Sequence, residues 1–425
     1  MRILLIITVS LLVLSGNIFA QNNFVMLDKE TNYFYSKGDL KNLGKTADTL
    51  FSKGIDYYYL RFRLGMLAYN KQLYSIASEN LTKAIEFNSM DTISRECIYY
   101  SYLLSGRKAD ASLYLKSLPE DKKNVELKSL YNLGLTPTIY MGFSDAGYNA
   151  TLYEIHKLYY EAVKSSLGIN AGIEGYFSDR FRGTITYTSF QKTETVYSAA
   201  DTLGRSFNFT LNQIYAKLDG YLFPGWEFSV FDHSAFYSDL VTQGPPANRQ
   251  TISVAKTEYN FGVGFSKNGW KVRTGANFSL SNFSNANQVR GEAYLTYLPS
   301  GNLNFYSTTG AMYQADNIWG STYQVNEEIG LKIYRFLWLE AGLIKGNSFL
   351  YARNQGSFIN NSLQEPAITI YGNIIILSGN HLTFTVTPFY VQNYIYSWNL
   401  TTYTRSDKLV SNSSGASIKI TYKFK

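Results

Sequence analysis

The sequence predicts an α plus transmembrane β chain: a short helical array followed by an antiparallel outer-membrane β-barrel of about 14 strands. Three observations lead there. Residues 30–120 carry a helical hydrophobic period and a 34-residue repeat. From Thr136 onward the period changes to two. The period-two segments are joined alternately by short turns and by longer polar stretches, as in outer-membrane barrels.

The front of the chain reads as an export signal. Met1-Arg2 precedes an almost wholly apolar run, Ile3 to Leu14, and then Ser15-Gly16-Asn17-Ile18-Phe19-Ala20. Cleavage is expected after Ala20, although Ile18 departs from the small-x-small rule. Gln21 and not Cys stands directly after that point, so no lipid anchor is expected there. No other stretch reaches 18 apolar residues, and the densest is Ile374 to Leu377. An exported chain without a second spanning helix is either soluble or a barrel.

Composition narrows the classes further. Aromatics are 16% of the 425 residues and charged residues 17%, which argues against disorder. The net charge of +7 is spread along the chain, so no nucleic-acid patch is expected. Cys97 is the single cysteine, which forbids an intramolecular disulfide. The three His lie outside its segment, so Cys97 is expected to be a core residue and not a His-paired nucleophile.

The clearest repeat unit is Leu64-Gly65, Tyr69, Tyr74, Ala77, Leu81 and Ala84. Shifted by 34 residues, Tyr35, Tyr69 and Leu103 align, as do Leu43, Ala77 and Ala111. Gly38 and Gly106 fall at the turn between helices. This resembles the tetratricopeptide pattern, in which small residues stand where two helices touch. Three units are expected near 24–56, 57–90 and 91–120, since about three hairpins must stack to bury their apolar faces. Residues 121–134 are expected to form a closing helix, with Val125, Leu127 and Leu130 on one face and Gly134 at its end. Domains are therefore expected at 1–20 (signal), 21–134 (periplasmic helical domain) and 135–425 (barrel). The resemblance implies that 21–134 docks a periplasmic or membrane protein. A hairpin array without a ligand is the plainer alternative.

In the barrel segment, Leu167, Ile169, Ala171, Ile173 and Phe177 alternate with Gly168, Asn170, Gly172 and Glu174. The same alternation recurs around Trp270–Phe278, Leu337–Leu343, Ile368–Ile376 and Ile418–Phe424. In a membrane barrel the apolar face meets lipid and the polar face lines the lumen. Short turns are expected near 178–180, 224–225, 267–269, 300–302, 335–336 and 378–380. Longer loops are expected at 144–161, 197–206, 238–250, 283–288, 315–321, 351–365 and 394–411. An even strand count puts both barrel ends on the short-turn, periplasmic side. Tyr176, Phe177, Phe181, Phe223, Trp226, Phe265, Trp270, Tyr297, Phe336, Trp338 and Phe424 are expected to form an interfacial girdle there. Pro388 interrupts a strand and is expected at a bulge. Ile420, Tyr422 and Phe424 resemble the C-terminal signal of outer-membrane barrels, with Lys425 a departure from a terminal aromatic. The resemblance implies contact with the barrel-assembly machinery during biogenesis, and outer-membrane lipid as surroundings.

Catalytic motifs are not found. Nucleophile-elbow, Walker and His-Glu-x-x-His patterns are missing, and Gly262-Val263-Gly264 lies on a strand with no helix after it. No cofactor, metal or enzymatic activity is expected. A hydrolase built from rim Ser and His (His156, His233) is the weaker alternative. The expected lumen-lining charges are Glu174, Arg182, Lys271, Arg273, Arg290, Glu292, Lys332, Glu340 and Lys419, and Lys217, Asp219, Glu227, Glu328 and Lys423 are expected to face inward with them. They are open to two readings: a mutually paired, partly plugged lumen, or a cation-lined channel. Fourteen strands lie between barrels filled by side chains and those holding water.

The layout as a whole resembles exopolysaccharide-export barrels and surface lipoprotein assembly modulators, which carry periplasmic repeats ahead of a barrel. It implies export or assembly of a client, polysaccharide or surface protein. A structural subunit of a larger complex and a passive diffusion channel are the alternatives.

Overall fold

The computed structural model describes residues 24–122, 138–149, 160–178, 180–198, 201–243, 250–283, 286–318, 320–347, 351–353, 358–360, 365–379, 381–399 and 404–424. The expected signal segment lies outside them. So does the expected closing helix, except for a short 3-10 turn at Glu120–Lys122.

The first unit is helical: α1 (24–36), α2 (Leu40–Ser52), α3 (Tyr58–Asn70), α4 (Tyr74–Phe87), α5 (Thr92–Leu104) and α6 (Lys108–Ser117). Helices begin at 24, 58 and 92, and again at 40, 74 and 108, so the 34-residue repeat of the sequence is a repeat of helical hairpins. The turn inside each hairpin uses one left-handed residue at the same place: Gly38 (φ 70°), Gln72 (φ 61°) and Gly106 (φ 79°). Asp39 and Asp91 cap α2 and α5, their carboxylates accepting from Asn42 N and Ser94 N.

Small residues set how closely these helices approach. A Cβ on Gly65 would stand 2.6 Å from Leu81 Cδ2. Ala68, Ala77 and Ala84 are fully buried beside them, and Ala111 nearly so. One core gathers Leu43, Leu50, Leu60 and Leu64; a second gathers Ala68, Ala77, Leu81, Cys97 and Ile98, with Tyr69 packed against it. Tyr74 is buried and lies 6.0 Å from the Tyr69 ring. Arg63 and the Tyr57 hydroxyl both bond Asp28, at 2.5 and 2.6 Å, and so tie α3 and its approach to α1.

The second unit is a sheet. Its strands are β1 (Thr138–Asn149), β2 (Tyr160–Ser178), β3 (Phe181–Ser198), β4 (Asp201–Phe223), β5 (Trp226–Gln243), β6 (Gln250–Asn268), β7 (Val272–Phe283) and β8 (Ala286–Tyr297). They continue as β9 (Phe305–Asp316), β10 (Gly320–Tyr334), β11 (Leu337–Gly346), β14 (Glu365–Ser378), β15 (Leu382–Asn399) and β16 (Thr404–Lys423). A separate hairpin, β12 (Tyr351–Arg353) with β13 (Phe358–Asn360), lies in the connection after β11. Every barrel pairing is antiparallel between neighbours, and β1 pairs with both β2 and β16. Among the described residues this closes a barrel of 14 strands, removing the exposed edges an open sheet would carry. Thr138 pairs with Glu174 and Lys423, so the chain enters the barrel at the short-turn end.

Several expected loops are strand. β3 and β4 run on to Ser198 and Asp201, and β15 and β16 to Asn399 and Thr404, through the stretches expected as loops at 197–206 and 394–411. In the stretches at 283–288 and 315–321 strand pairing likewise continues, to Phe283 with Ala286 and to Asp316 with Gly320. A bilayer needs about 9–11 residues per strand, whereas β4 has 23 and β16 has 20. Polar sequence there does not mark the end of pairing. Parts of the expected loops at 144–161, 238–250 and 351–365 lie outside the described residues.

The two faces differ in chemistry. Ile173, Ile185, Val263, Ile329, Ile370, Ile374, Ile418, Ile420, Tyr422 and Phe424 point outward and are exposed, and their neighbours point in. Phe177, Phe181, Phe223, Phe265, Tyr297 and Phe336 form an outward aromatic band near the short turns. Tyr176 and Trp338 do not join it. Tyr176 shares the inward face with Glu174 and packs on Tyr221, and Trp338 covers Lys332. A second outward band contains Tyr187, Tyr259, Tyr313, Tyr323 and Tyr390. Tyr187 and Tyr390 donate to Asn212 and Asn412, each at 2.9 Å.

Pro388 shows no bulge. Tyr371 pairs with Phe389 and Ile374 with Val386, so the register is unchanged across it. The ladder to β14 instead skips the pairs that would include Pro388, which has no N–H to give.

Candidate functional site: the charged barrel interior

Alternation along strands of fixed register places charged residues of non-adjacent sequence side by side on the inner face. At the short-turn end of β2–β5, Arg182 donates to Asp219 Oδ2 from Nε (2.9 Å) and Nη2 (2.6 Å). Lys217 Nζ lies 2.7 Å from Asp219 Oδ1. Glu227 stands 3.8 Å from Arg182 and 3.7 Å from Lys217, and Glu174 stands 3.6 Å from Arg182. Asp219 is fully buried. Two cations thus stand among three carboxylates, each cation within 4 Å of at least two of them, the pairing that makes buried charge tolerable.

A second network lines β9–β15. Tyr306 donates to Glu340, which also accepts from Asn373 Nδ2 at 2.6 Å. Thr387 donates to Asn373 at 2.6 Å, and the Tyr371 hydroxyl donates to Glu328 at 2.7 Å. Glycines make room for these rings. A Cβ on Gly330 would collide with Tyr306, and one on Gly342 with Tyr371, so each ring lies flat against the neighbouring strand.

The remaining charges expected in the lumen are dispersed. Arg273 points inward from β7, and Lys419 shares an inward register with Gly142 and Thr385. Lys332 caps the Trp338 ring at 4.6 Å. Lys271 sits in the short turn before β7, where its carbonyl accepts from Leu298 N at 2.7 Å. Glu292 accepts from Asn277 Nδ2 at 3.4 Å, and Arg290 is buried. The structure therefore groups Arg182 with Glu174, leaves Lys271 in a turn, and separates Glu340 from both.

Searching the sequence for charge alone misses the neutral members Tyr306, Tyr371, Asn373 and Thr387. The inward phase of their strands is the signal that would have found them. Two further carboxylates face outward. Asp232 accepts from Ser234 at 3.0 Å and Glu327 from Ser307 at 3.1 Å, on the apolar face.

Other chemistry is confined. His233 is buried on the inner face of β5 beside Tyr215, and His156 lies outside the described residues. Burial pushes the Cys97 thiol up to about 11, and its sulfur lies 3.7 Å from Met66 Sδ, as a core residue. Among the described residues no three His, Cys, Asp or Glu converge as a metal site.

No known family profile matches the chain, and no curated protein matches it. Three solved structures give the scale of its structural likenesses. A FadL homologue from Pseudomonas aeruginosa aligns at 10% identity and TM-score 0.43, over 68% of this chain and 90% of its own. The Pseudomonas putida toluene transporter TodX aligns at 8% identity and TM-score 0.47, over 76% and 93%. A bacterial polysaccharide outer membrane secretin aligns at 10% identity and TM-score 0.34, over 68% and 99%. Likenesses of this size assign neither a family nor a cargo.

Proposed function

We propose that this chain is an outer-membrane barrel that exports or assembles a client, polysaccharide or surface protein, with residues 21–134 as a periplasmic docking domain. The inverted polarity of the barrel carries the membrane reading: apolar side chains outward, ion pairs and polar side chains inward. The constant 34-residue spacing of three helical hairpins supports the tetratricopeptide reading, and with it protein docking. The entry of the chain at the short-turn end supports placing that domain in the periplasm.

Two features weigh against a simple diffusion channel. The charges at the short-turn end are mutually paired, and the chain devotes a whole unit to helical hairpins. Capture of periplasmic partners by purified full-length protein, compared with a variant lacking 24–117, tests docking. The expected result is a partner retained by the full chain alone. Recovery of general chaperones only would sink the docking reading. Planar-bilayer recording tests the channel alternative, and steady conductance from the full-length protein without a client would favour it.

A further inference from the structure

Further from the short turns, the inward faces of β6, β7, β8 and β10 gather buried hydrogen-bond donors. Register places Ser279 opposite Arg290, and both Arg290 and Thr322 opposite Gln314. One step along, Asn260 and Gln288 both stand opposite Ser281. On the other side Gln324 follows Thr322 along β10. Arg290 is 2% exposed and Asn260 0%; Ser279, Gln288, Thr322 and Gln324 are also buried. Arg290 Nη2, Gln288 Nε2, Asn260 Nδ2, Gln324 Nε2, Ser279 Oγ and Thr322 Oγ1 have no hydrogen-bond partner within the protein.

We propose that this cluster is a binding site for a small oxyanion, a carboxylate or phosphate group, inside the barrel. The site rests on the barrel reading but not on export or docking. The amide oxygens of Asn260 and Gln324 are unpartnered as well, so donors outnumber acceptors and the Arg290 cation has no counter-charge among them; each buried unsatisfied group costs about 1–3 kcal/mol, and more when charged. Among the described residues no carboxylate lies within ion-pair distance of Arg290. Glu292, two positions along the same face, accepts from Asn277; Glu258 accepts from the Tyr237 hydroxyl at 2.7 Å through Oε1, while its Oε2 accepts no hydrogen bond. An oxyanion balances the guanidinium charge and accepts from several donors at once, which a neutral hydroxyl compound does not. Arginine's planar fork suits carboxylate and phosphate oxygens in particular. The contrast with Arg182 makes the point: that guanidinium is met by three carboxylates of the chain itself.

Calorimetric titration of the full-length protein in a phosphate-free maltoside detergent tests the site, using inorganic phosphate and acetate at constant chloride. Saturable binding of either anion is expected, weakened at least tenfold by Arg290→Gln and a few-fold by Ser279→Ala. The stronger anion identifies the chemical class. Competition by a short-chain phosphatidic acid would mark a lipid headgroup, and its failure a free anion. Ser279→Ala keeps the test decisive if Arg290→Gln does not fold. No saturable binding by wild type, or equal binding by wild type and every variant that folds, would overturn the site and show water as its only occupant. Neither result would touch the conductance and capture tests above.

Discussion

At residue scale the helical unit reveals its history of repetition in one strained position. Gly38, Gln72 and Gly106 hold the same left-handed turn, and only Gln72 has a Cβ there. Gln72→Gly is expected to stabilise the unit by about 0.5–1 kcal/mol, since relief of left-handed strain exceeds the entropy a glycine adds to the unfolded chain. Hydrogen exchange across α3 and α4 reads this directly, and faster exchange in the variant would contradict it. Acid sensitivity belongs to Asp28. Burial works against its charge, but hydrogen bonds from Tyr57 and Arg63 outweigh burial and hold its pKa below the ordinary 3.8. A depressed carboxylate gives stability above its unfolded pKa that is lost as pH falls through the folded value. Helical ellipticity of the full chain is therefore expected to fall below about pH 3.8, and Asp28→Asn to flatten that limb. Identical acid limbs would remove Asp28 from the account. The small residues were readable in advance: Gly65, Ala77, Ala84 and Ala111 stand where the repeat puts helix contacts. The Asp28–Arg63 pair was not readable, because its partners lie in different repeat units and nothing local links them.

At element scale, period and turn chemistry located the strands, while strand ends were misread. The stretch around Asp201 is polar and looks like loop, yet β3 and β4 pair through it. Hydrophobic alternation reports which face is apolar, and a stretch polar on both faces gives no such signal although its backbone still pairs. Pro388 teaches the complementary lesson. A missing donor was expected to force a bulge, but a skipped pair against β14 suffices. The inward networks depend on glycines whose role is steric. Gly330→Val is expected to displace Tyr306, break its bond to Glu340 and cost about 1–3 kcal/mol, as overpacking typically does. Urea unfolding from lipid vesicles measures this, and an unchanged midpoint would show that the ring has room to move.

At the scale of the whole molecule, alternation announces which residues face outward far better than what the interior binds. Ile418, Ile420, Tyr422 and Phe424 declare the outward face by alternation alone. The Arg182 cluster needs the register of β2 to β5 before Glu174, Asp219 and Glu227 meet it. The inner donors around Arg290 need four strands, and most are neutral, so no charge pattern announced them. Docking surfaces are set by shape and not by a motif, so nothing in the sequence of the helical unit names a partner.

The central claim is that the barrel's apolar face meets lipid. Ile374 and Ile375 are adjacent and chemically identical, and they point to opposite faces of β14, with Ile374 paired to Leu339 and Ile375 to Trp338. Ile374 lies about midway up the outward belt between the short turn and the second tyrosine band. The decisive measurement is the refolding stability of Ile374→Arg and Ile375→Arg in lipid vesicles. Ile374→Arg is expected to cost about 2–4 kcal/mol and Ile375→Arg less than about 1 kcal/mol. Equal costs, or the reverse order, would contradict the account.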